Sequence, residues 1–206
     1  GFARVAGSGF NDTLIGDGSS SFLSGGGGDD LFRARGGIES FDGGAGLDTV
    51  SFQDLGSAVF VDAGDATGGW GSSELVGVEA IIGTDYNDLL VGAGADVSLN
   101  GGDGADTIRA TQFIGRIEGG LGAADVADFT LMTEGVTVSI VSQTYSTPLG
   151  GSGGLLGVER VIGTSFLDSL IGSGANDTLE GADGADTLYG LAGNDVLSGG
   201  GGDDHI

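Results

Sequence analysis

The nonapeptide GGDGADTIR, residues 101–109, contains the pattern on which most of this chain is built. Its sixth position is Asp106 and its eighth is an isolated large apolar residue, Ile108. In a short strand from Thr107 to Arg109, only the middle side chain points inward, because side chains alternate across a strand. The six preceding residues must then reverse the chain, and glycine tolerates the positive φ angles that such turns need. We therefore predict that two nonapeptides close one coil and that successive coils stack.

The nine-residue period recurs in three blocks of five units, which begin at Gly7, Gly83 and Gly163. One inserted residue shifts the last unit of the second block. The apolar residues at position eight are Leu14, Leu23, Phe32, Phe41, Val50, Leu90, Leu99, Ile108, Ile117, Leu170, Leu179, Leu188, Leu197 and Ile206. Because a fixed period of this kind is typical of stacked repeat architectures, we predict that these side chains form a narrow core.

Two segments between the blocks depart from the period. Each contains an alternating apolar and polar stretch, SAVFVDA at 57–63 and GVTVSIV at 135–141, and each stretch predicts a strand. The glycine-rich stretches GDATGGWGSS at 64–73 and STPLGGSGG at 146–154 predict surface loops. The resulting division is a first block at 1–51, a connection at 52–82, a second block at 83–127, a connection at 128–162 and a third block at 163–206. Since the chain starts and stops inside repeats, we expect it to be a fragment of a longer protein.

The composition excludes several classes of function. The chain has 30 acidic residues, six basic residues and a formal net charge of -24. Neither nucleic acid nor an anionic membrane surface suits so acidic a protein, because both require basic surface. The absence of cysteine rules out disulfides and thiolate metal sites. No apolar run approaches the roughly 18 residues of a membrane-spanning helix, and no signal peptide is evident.

The position-six carboxylates would stack at the coil spacing and repel one another unless a cation lies between them. Burial of one Leu or Ile contributes about 1.5–3 kcal/mol, whereas ordering nine residues costs on the order of 9–18 kcal/mol. Calcium would both relieve the repulsion and stabilise the ordered coil, because it accepts six to eight carboxylate and carbonyl oxygens in flexible geometry. Zinc lacks its usual His and Cys ligands here, and magnesium prefers stricter octahedral geometry. The alternative is that the aspartates only form hydrogen bonds within turns.

The units GGDGADTIR, GGAGLDTVS and GGGGDDLFR resemble the G-G-x-G-x-D-x-U-x repeat of the RTX, or haemolysin-type calcium-binding, family. The resemblance extends over about fifteen units. It implies an all-β fold, a parallel β-roll or β-solenoid, with calcium between like turns of successive coils. It also implies export by a type I system into a calcium-rich exterior.

Under this interpretation like turns lie two units apart, so calcium is expected along one edge of the first two blocks and both edges of the third. The expected ligands are Asp12, Asp30, Asp48, Asp88, Asp106, Asp125, Asp168, Asp177, Asp186, Asp195 and Asp204. Gaps between like turns give about two, two and three ions in the successive blocks, or about seven in all. Glu39, Glu79 and Glu159 are further candidates to add or cap sites.

We expect a calcium-binding structural module of a large secreted or cell-surface bacterial protein, of adhesin, surface-layer or filament type, that folds on binding calcium after export. Self-association or contact with other surface proteins would suit that role. The alternative is the non-catalytic carboxy-terminal module of a secreted protease, lipase, polysaccharide epimerase or toxin. We expect no catalysis here: Gly150, Ser152 and Gly154 fit a nucleophile-elbow pattern, but no strand-to-helix setting surrounds them and His205 is the only histidine.

Overall fold

The computed structural model describes residues 3–62, 64–69, 71–92, 96–111 and 115–206. These residues form 23 short strands. The strands in chain order are β1 Ala3–Ala6, β2 Thr13–Ile15, β3 Ser21–Gly27, β4 Leu31–Arg33, β5 Glu39–Ala45, β6 Thr49–Ser51, β7 Val59–Asp62, β8 Asp65–Gly68, β9 Gly71–Val76, β10 Ala80–Ile82, β11 Leu89–Val91, β12 Ser98–Gly104, β13 Thr107–Arg109, β14 Arg116–Gly122, β15 Val126–Asp128, β16 Thr137–Ser139, β17 Thr144–Ser146, β18 Ser152–Leu156, β19 Arg160–Ile162, β20 Ser169–Ile171, β21 Thr178–Asp183, β22 Thr187–Tyr189 and β23 Val196–Gly201.

The strands form two sheets that wind together as a β-solenoid. Sheet one has twelve strands in the order β1-β3-β5-β9-β8-β7-β11-β13-β15-β19-β21-β23. Sheet two has eleven, in the order β2-β4-β6-β10-β12-β14-β18-β17-β16-β20-β22. Within each block, consecutive strands alternate between the sheets. The predicted parallel β-roll is therefore confirmed.

The register shows that two nonapeptides make one coil. Leu14 pairs with Phe32 and Phe32 with Val50, each in parallel and 18 residues apart. The inserted residue of the second block is visible as a longer step, because Ile108 pairs with Ala127. The extra residue is taken up before the strand, so the inward position of β15 is kept.

The position-eight side chains form the core, as predicted. Most have less than 10% of their surface exposed, and Phe32, Leu90, Ile108 and Leu170 are fully buried. The two aromatic residues at position eight, Phe32 and Phe41, pack edge to face with ring centroids 5.7 Å apart. Within the blocks most strands contribute one apolar side chain to a core that continues along the axis between the two sheets, so each coil depends on its neighbours for burial. Leu197 is only partly buried, and Ile206 has 62% of its surface exposed.

The first connection is an antiparallel meander in sheet one, which we call meander one (β7, β8 and β9). Strand β7 lies beside β11 of the second block, β8 returns antiparallel to it, and β9 lies parallel to β5 of the first block. The prediction of a strand in 57–63 is confirmed by β7. The prediction of a surface loop at 64–73 is wrong, because β8 and the start of β9 occupy this stretch. Backbone pairing on both sides stabilises these strands despite their glycines and their few apolar residues.

The second connection repeats this device in the other sheet, and we call it meander two (β16, β17 and β18). Strand β16 lies beside β20, β17 is antiparallel to both its neighbours, and β18 lies on β14. The strand predicted in 135–141 is confirmed, whereas the loop predicted at 146–154 is limited to the turn between β17 and β18. With β10 and β19 included, each connection therefore adds three strands to one sheet and one strand to the other.

No helix long and apolar enough to cross a membrane occurs in the part of the chain that the structure describes.

Candidate metal centre

The predicted carboxylates stand immediately before the short strands and stack into three ladders. Ladder one leads into sheet two and consists of Asp12, Asp30 and Asp48. Ladder two leads into sheet one and contains Asp88, Asp106, Asp125, Asp177 and Asp195, with Glu159 between its third and fourth aspartates. Ladder three leads into sheet two and consists of Asp168, Asp186 and Asp204.

Ladder two joins carboxylates that the period assigns to different blocks. Strand β19 pairs with β15 of the second block and with β21 of the third, so Glu159 links Asp125 to Asp177. Reasoning from the period alone misses this continuity, because the second connection interrupts the count. The motif GVER, which also fits the nine-residue frame, is the signal that could have revealed it.

One oxygen of most ladder carboxylates ties two coils together. The Oδ1 atom of Asp30 accepts a hydrogen bond from the backbone N–H of Asp12 at 2.8 Å, and Oδ1 of Asp48 accepts one from Asp30 at 2.8 Å. The same bond joins Asp88 to Asp106 at 2.7 Å. It recurs in the third block. Because the donor is always the equivalent residue one coil earlier, these bonds hold the ladders in register.

The second oxygen divides the carboxylates into two groups. Where position two is Ser or Thr, that residue donates to Oδ2: the N–H of Ser8 to Asp12 at 2.6 Å, and the N–H of Thr84 to Asp88 at 2.5 Å. Thr164 and Ser173 do the same for Asp168 and Asp177. In four units whose position two is Gly or Ala, the oxygen is buried and has no hydrogen-bond partner among the described residues. These oxygens are Oδ2 of Asp30, Asp48, Asp106 and Asp186. A buried carboxylate oxygen without a partner is costly, so a cation would stabilise it.

A backbone carbonyl of the next coil faces Oδ2 at most ladder positions. At Gly101, the place that a Cβ would occupy lies against Oδ2 of Asp106 and 2.5 Å from the carbonyl oxygen of Gly119. At Gly181, the corresponding atoms are Oδ2 of Asp186 and the carbonyl oxygen of Gly199, also at 2.5 Å. The position-one glycines thus leave a small space between a carboxylate and a carbonyl. This combination of anionic and neutral oxygens suits calcium.

Side chains alone do not form such a site. No group of three or more His, Cys, Asp or Glu side chains capable of holding a metal occurs within the described ranges. A cation between two coils would therefore have to draw on backbone carbonyls as well as carboxylates. The glycine turns supply these carbonyls, since successive position-one glycines come within reach of the same space.

The buried carboxylates are strained electrostatically when no cation balances them. Burial raises the pKa of Asp106 to about 7, and repulsion from Asp88 and Asp125 adds to the shift. Burial is also the main cause of a raised pKa at Asp48, Asp88, Asp125, Asp168 and Asp186. The fold therefore disfavours the charged form of these groups, and a bound cation would reverse that preference.

Glu39 occupies position six on the opposite edge of the first block but has a different environment. Its side chain is buried, and its carboxylate accepts backbone N–H groups from Arg35 at 3.0 Å and Gly18 at 3.4 Å. Burial raises its pKa, while these hydrogen bonds lower it. The carboxylate thus caps two turns.

The raised pKa values predict how stability depends on pH when divalent cations are absent. The unfolded chain has ordinary carboxyl pKa values near 3.8, whereas the folded chain holds Asp106 at about 7, so the folded chain binds more protons between these values. Stability must then rise as the pH falls through this window. We expect the β-structure content in metal-free buffer, followed by far-UV circular dichroism, to increase between about pH 7 and about pH 5. In saturating calcium the urea midpoint should instead fall as the pH falls, because protons compete with the cation. A metal-free β-structure content that falls with acidification would contradict this account.

A β-solenoid whose turns present stacked carboxylates and glycine carbonyls defines a class of repeat protein built around cations. The RTX calcium-binding nonapeptide repeat family matches residues 6–38, 82–113, 153–188 and 171–206, more than half of the chain. The chain belongs to this family. A comparison with curated proteins gives no match. The repeats bind calcium and are a structural module found in secreted bacterial proteins, including those exported by type I secretion.

Proposed function

We propose that this chain is a calcium-dependent structural module of a large extracellular or cell-surface bacterial protein and that it folds on meeting calcium after export. The observation that carries the proposal is the set of buried Oδ2 atoms without partners on Asp30, Asp48, Asp106 and Asp186. Each is next to a glycine carbonyl of the following coil. Export into a calcium-rich medium would supply the cation that these oxygens require.

The proposed ligands are the eleven position-six aspartates and the facing glycine carbonyls. Each ion would lie between successive aspartates of one ladder, which gives about two ions in the first block, two in the second and three in the third. Ser8 and Thr84 already donate to Asp12 and Asp88, so we expect the ion shared with Asp30 and the ion shared with Asp106 to bind more weakly. Asp30 and Asp48 both lack such a donor for Oδ2, so the ion between them should bind more tightly.

The role of calcium would be to drive folding. With a site dissociation constant of about 0.1 mM, millimolar calcium contributes about 1.4 kcal/mol per site. Micromolar calcium contributes almost nothing by the same relation. Several sites together are comparable with the total stability of a typical domain, about 5–15 kcal/mol. The chain would remain unfolded in the cytosol and fold outside the cell.

A calcium titration of the purified chain tests the proposal. We expect a cooperative change from coil to β-structure in far-UV circular dichroism at submillimolar to millimolar calcium, with about seven or more ions bound by equilibrium dialysis. A chain that is fully folded in chelator and binds no calcium would overturn the proposal.

The matched variants Asp186→Asn and Asp183→Asn locate the effect. Asp186 is buried in ladder three with a free Oδ2, whereas Asp183 is exposed at position three of the same unit. Asparagine keeps an oxygen that can accept the N–H of Asp168 but removes the charge. We expect Asp186→Asn to lose at least one ion and Asp183→Asn to lose none. Equal stoichiometry in both variants would show that the ladder carboxylates are not ligands.

We further propose the adhesin, surface-layer or filament type of parent protein. The support is that the chain contains two superrepeats of similar length, 7–82 and 83–162, followed by a third block that starts in the same way at Gly163. Such tandem duplication lengthens a rod without adding a catalytic centre. Light scattering during the same calcium titration separates this version, which predicts ordered assembly, from a monomeric module attached to an enzyme.

A further inference from the structure

The two connections end in the same motif, Gly-Val-Glu. In each case the motif occupies the same position relative to the last coil of the preceding block. Gly77 and Gly157 have φ angles of 58° and 57°, a left-handed conformation that favours glycine. The next-but-one residues, Glu79 and Glu159, precede β10 and β19. Gly77 and Glu79 lie outside the residues matched by the repeat family, whereas Gly157 and Glu159 lie within a matched segment. In both copies the motif stands where the connection packs on the last coil of the preceding block.

Each glutamate takes the place that the next aspartate would hold in a ladder. Oε2 of Glu79 accepts the backbone N–H of Asp48 at 2.9 Å, and Oε2 of Glu159 accepts that of Asp125 at 3.0 Å. In return, the N–H of Glu79 donates to the carbonyl of Asp48 at 3.0 Å. The longer side chain thus reproduces the hydrogen bond that joins coils inside a block.

The space beside this hydrogen bond also has the geometry found inside the blocks. At Gly43, the place of a missing Cβ lies against Oδ2 of Asp48 and the carbonyl oxygen of Gly77. Asp48 is fully buried, and its Oδ2 has no hydrogen-bond partner in the described structure. At Gly119, the equivalent atoms are the carbonyl oxygen of Gly157 and Oδ2 of Asp125, the latter at 2.7 Å.

The carboxylates at each junction repel one another. Glu79 and Asp30 both add to the rise that burial causes in the pKa of Asp48. Glu159 likewise adds to the raised pKa of Asp125. An aspartate oxygen and a carbonyl that face one small space, with a glutamate carboxylate close to the same aspartate, offer calcium the kind of ligands it prefers.

We propose that each junction holds a calcium ion, one bound by Asp48, Glu79 and the carbonyl of Gly77, and the other by Asp125, Glu159 and the carbonyl of Gly157. This inference rests on the proposed calcium-binding function and adds two ions to those between nonapeptides, about nine in all.

The junction ions would couple neighbouring blocks. Strand β10 pairs with β6 of the first block and with β12 of the second, so its coil belongs to both. Strand β19 likewise pairs with β15 and β21. An ion that holds such a shared coil transmits the folding of one block to the next, because each repeat is stabilised through its interfaces with its neighbours. The three blocks would then fold as one cooperative unit.

Glu79→Gln, Glu159→Gln and the double variant test the proposal, with Glu74→Gln as the matched control. Glu74 is an exposed residue of meander one, and glutamine at 79 or 159 keeps an oxygen that can accept the ladder N–H. By equilibrium dialysis against calcium chloride we expect about nine ions for the parent chain, about eight for each single variant and about seven for the double variant. Calcium-induced folding of the double variant should separate into more than one transition. The control should match the parent chain.

The outcomes distinguish this inference from the function on which it rests. About seven ions in the parent chain, unchanged in the double variant, would overturn the junction sites and leave the nonapeptide sites intact. No bound calcium in any variant would instead overturn the proposed function. If a variant fails to fold, a crystal structure of the parent chain grown in calcium decides the matter. An ion between Asp48 and Gly77 supports the proposal, and ions between nonapeptides alone reject it.

Discussion

Replacement of Phe32 by alanine is expected to lower the free energy of unfolding in saturating calcium by about 3–5 kcal/mol. The Phe32 ring is fully buried and packs edge to face on Phe41 at a centroid distance of 5.7 Å. The core is one side chain wide at each strand, so few neighbours can move to fill the cavity. A loss of this size is a large fraction of the roughly 5–15 kcal/mol that stabilises an ordinary domain.

The matched control is Phe10→Ala, which removes an aromatic ring from a turn of the same block. Phe10 is 80% exposed, so its loss should change the unfolding free energy by no more than about 0.5 kcal/mol. Urea denaturation of both variants at fixed calcium measures the difference. Similar midpoints for the two variants would show that the aromatic core contributes little and that cations alone maintain the fold.

Replacement of Gly181 by alanine should both destabilise the chain and weaken calcium binding. The added Cβ would meet Oδ2 of Asp186 and lie 2.5 Å from the carbonyl oxygen of Gly199, which is too close for any real contact. Forcing apart packed atoms costs about 1–3 kcal/mol, and the displaced atoms are two proposed ligands. We expect at least one calcium ion fewer by equilibrium dialysis, together with a lower urea midpoint.

Gly174→Ala separates this effect from the general consequence of removing a glycine. A Cβ at Gly174 meets nothing within 4 Å, and Gly174 is in the same block. Restricting the unfolded chain should then stabilise the protein by about 0.4–1 kcal/mol. The two substitutions are chemically identical but should change stability in opposite directions. Equal effects would mean that the space beside Gly181 does not hold an ion.

The nine-residue period was sufficient to predict the coil, the core and the register within blocks. Ile108 and its equivalents could be assigned to the interior because one apolar residue recurs at a constant place in each unit, and a strand can turn only that residue inward. The shift before Ala127 was also visible, because an extra residue displaces every later match. These features follow from local spacing, which the sequence states directly.

The meanders and the path of the ladders could not be predicted in the same way. Strand β8 contains Asp65, Thr67 and Gly68, a composition typical of a loop, and it is a strand because β7 and β9 pair with it on either side. The edge on which a block places its carboxylates depends on how many strands the connection contributes to each sheet. That number is set by pairing between distant segments. The difference between Asp12 and Asp30 was present in the sequence as Ser8 against Gly26, but its meaning required the hydrogen bonds.

The alternation of the meanders between the two sheets has a consequence for tandem duplication. The aspartate of the opening unit leads into sheet two in the first block, into sheet one in the second and again into sheet two in the third. Each copied superrepeat is therefore turned half a revolution about the axis relative to the one before it. The aromatic residues of the opening turns, Phe10, Tyr86 and Phe166, precede β2, β11 and β20, which lie alternately in sheet two and sheet one. A longer chain made of whole superrepeats would thus be a two-sided rod. Every second copy would add one more opening turn to the same side.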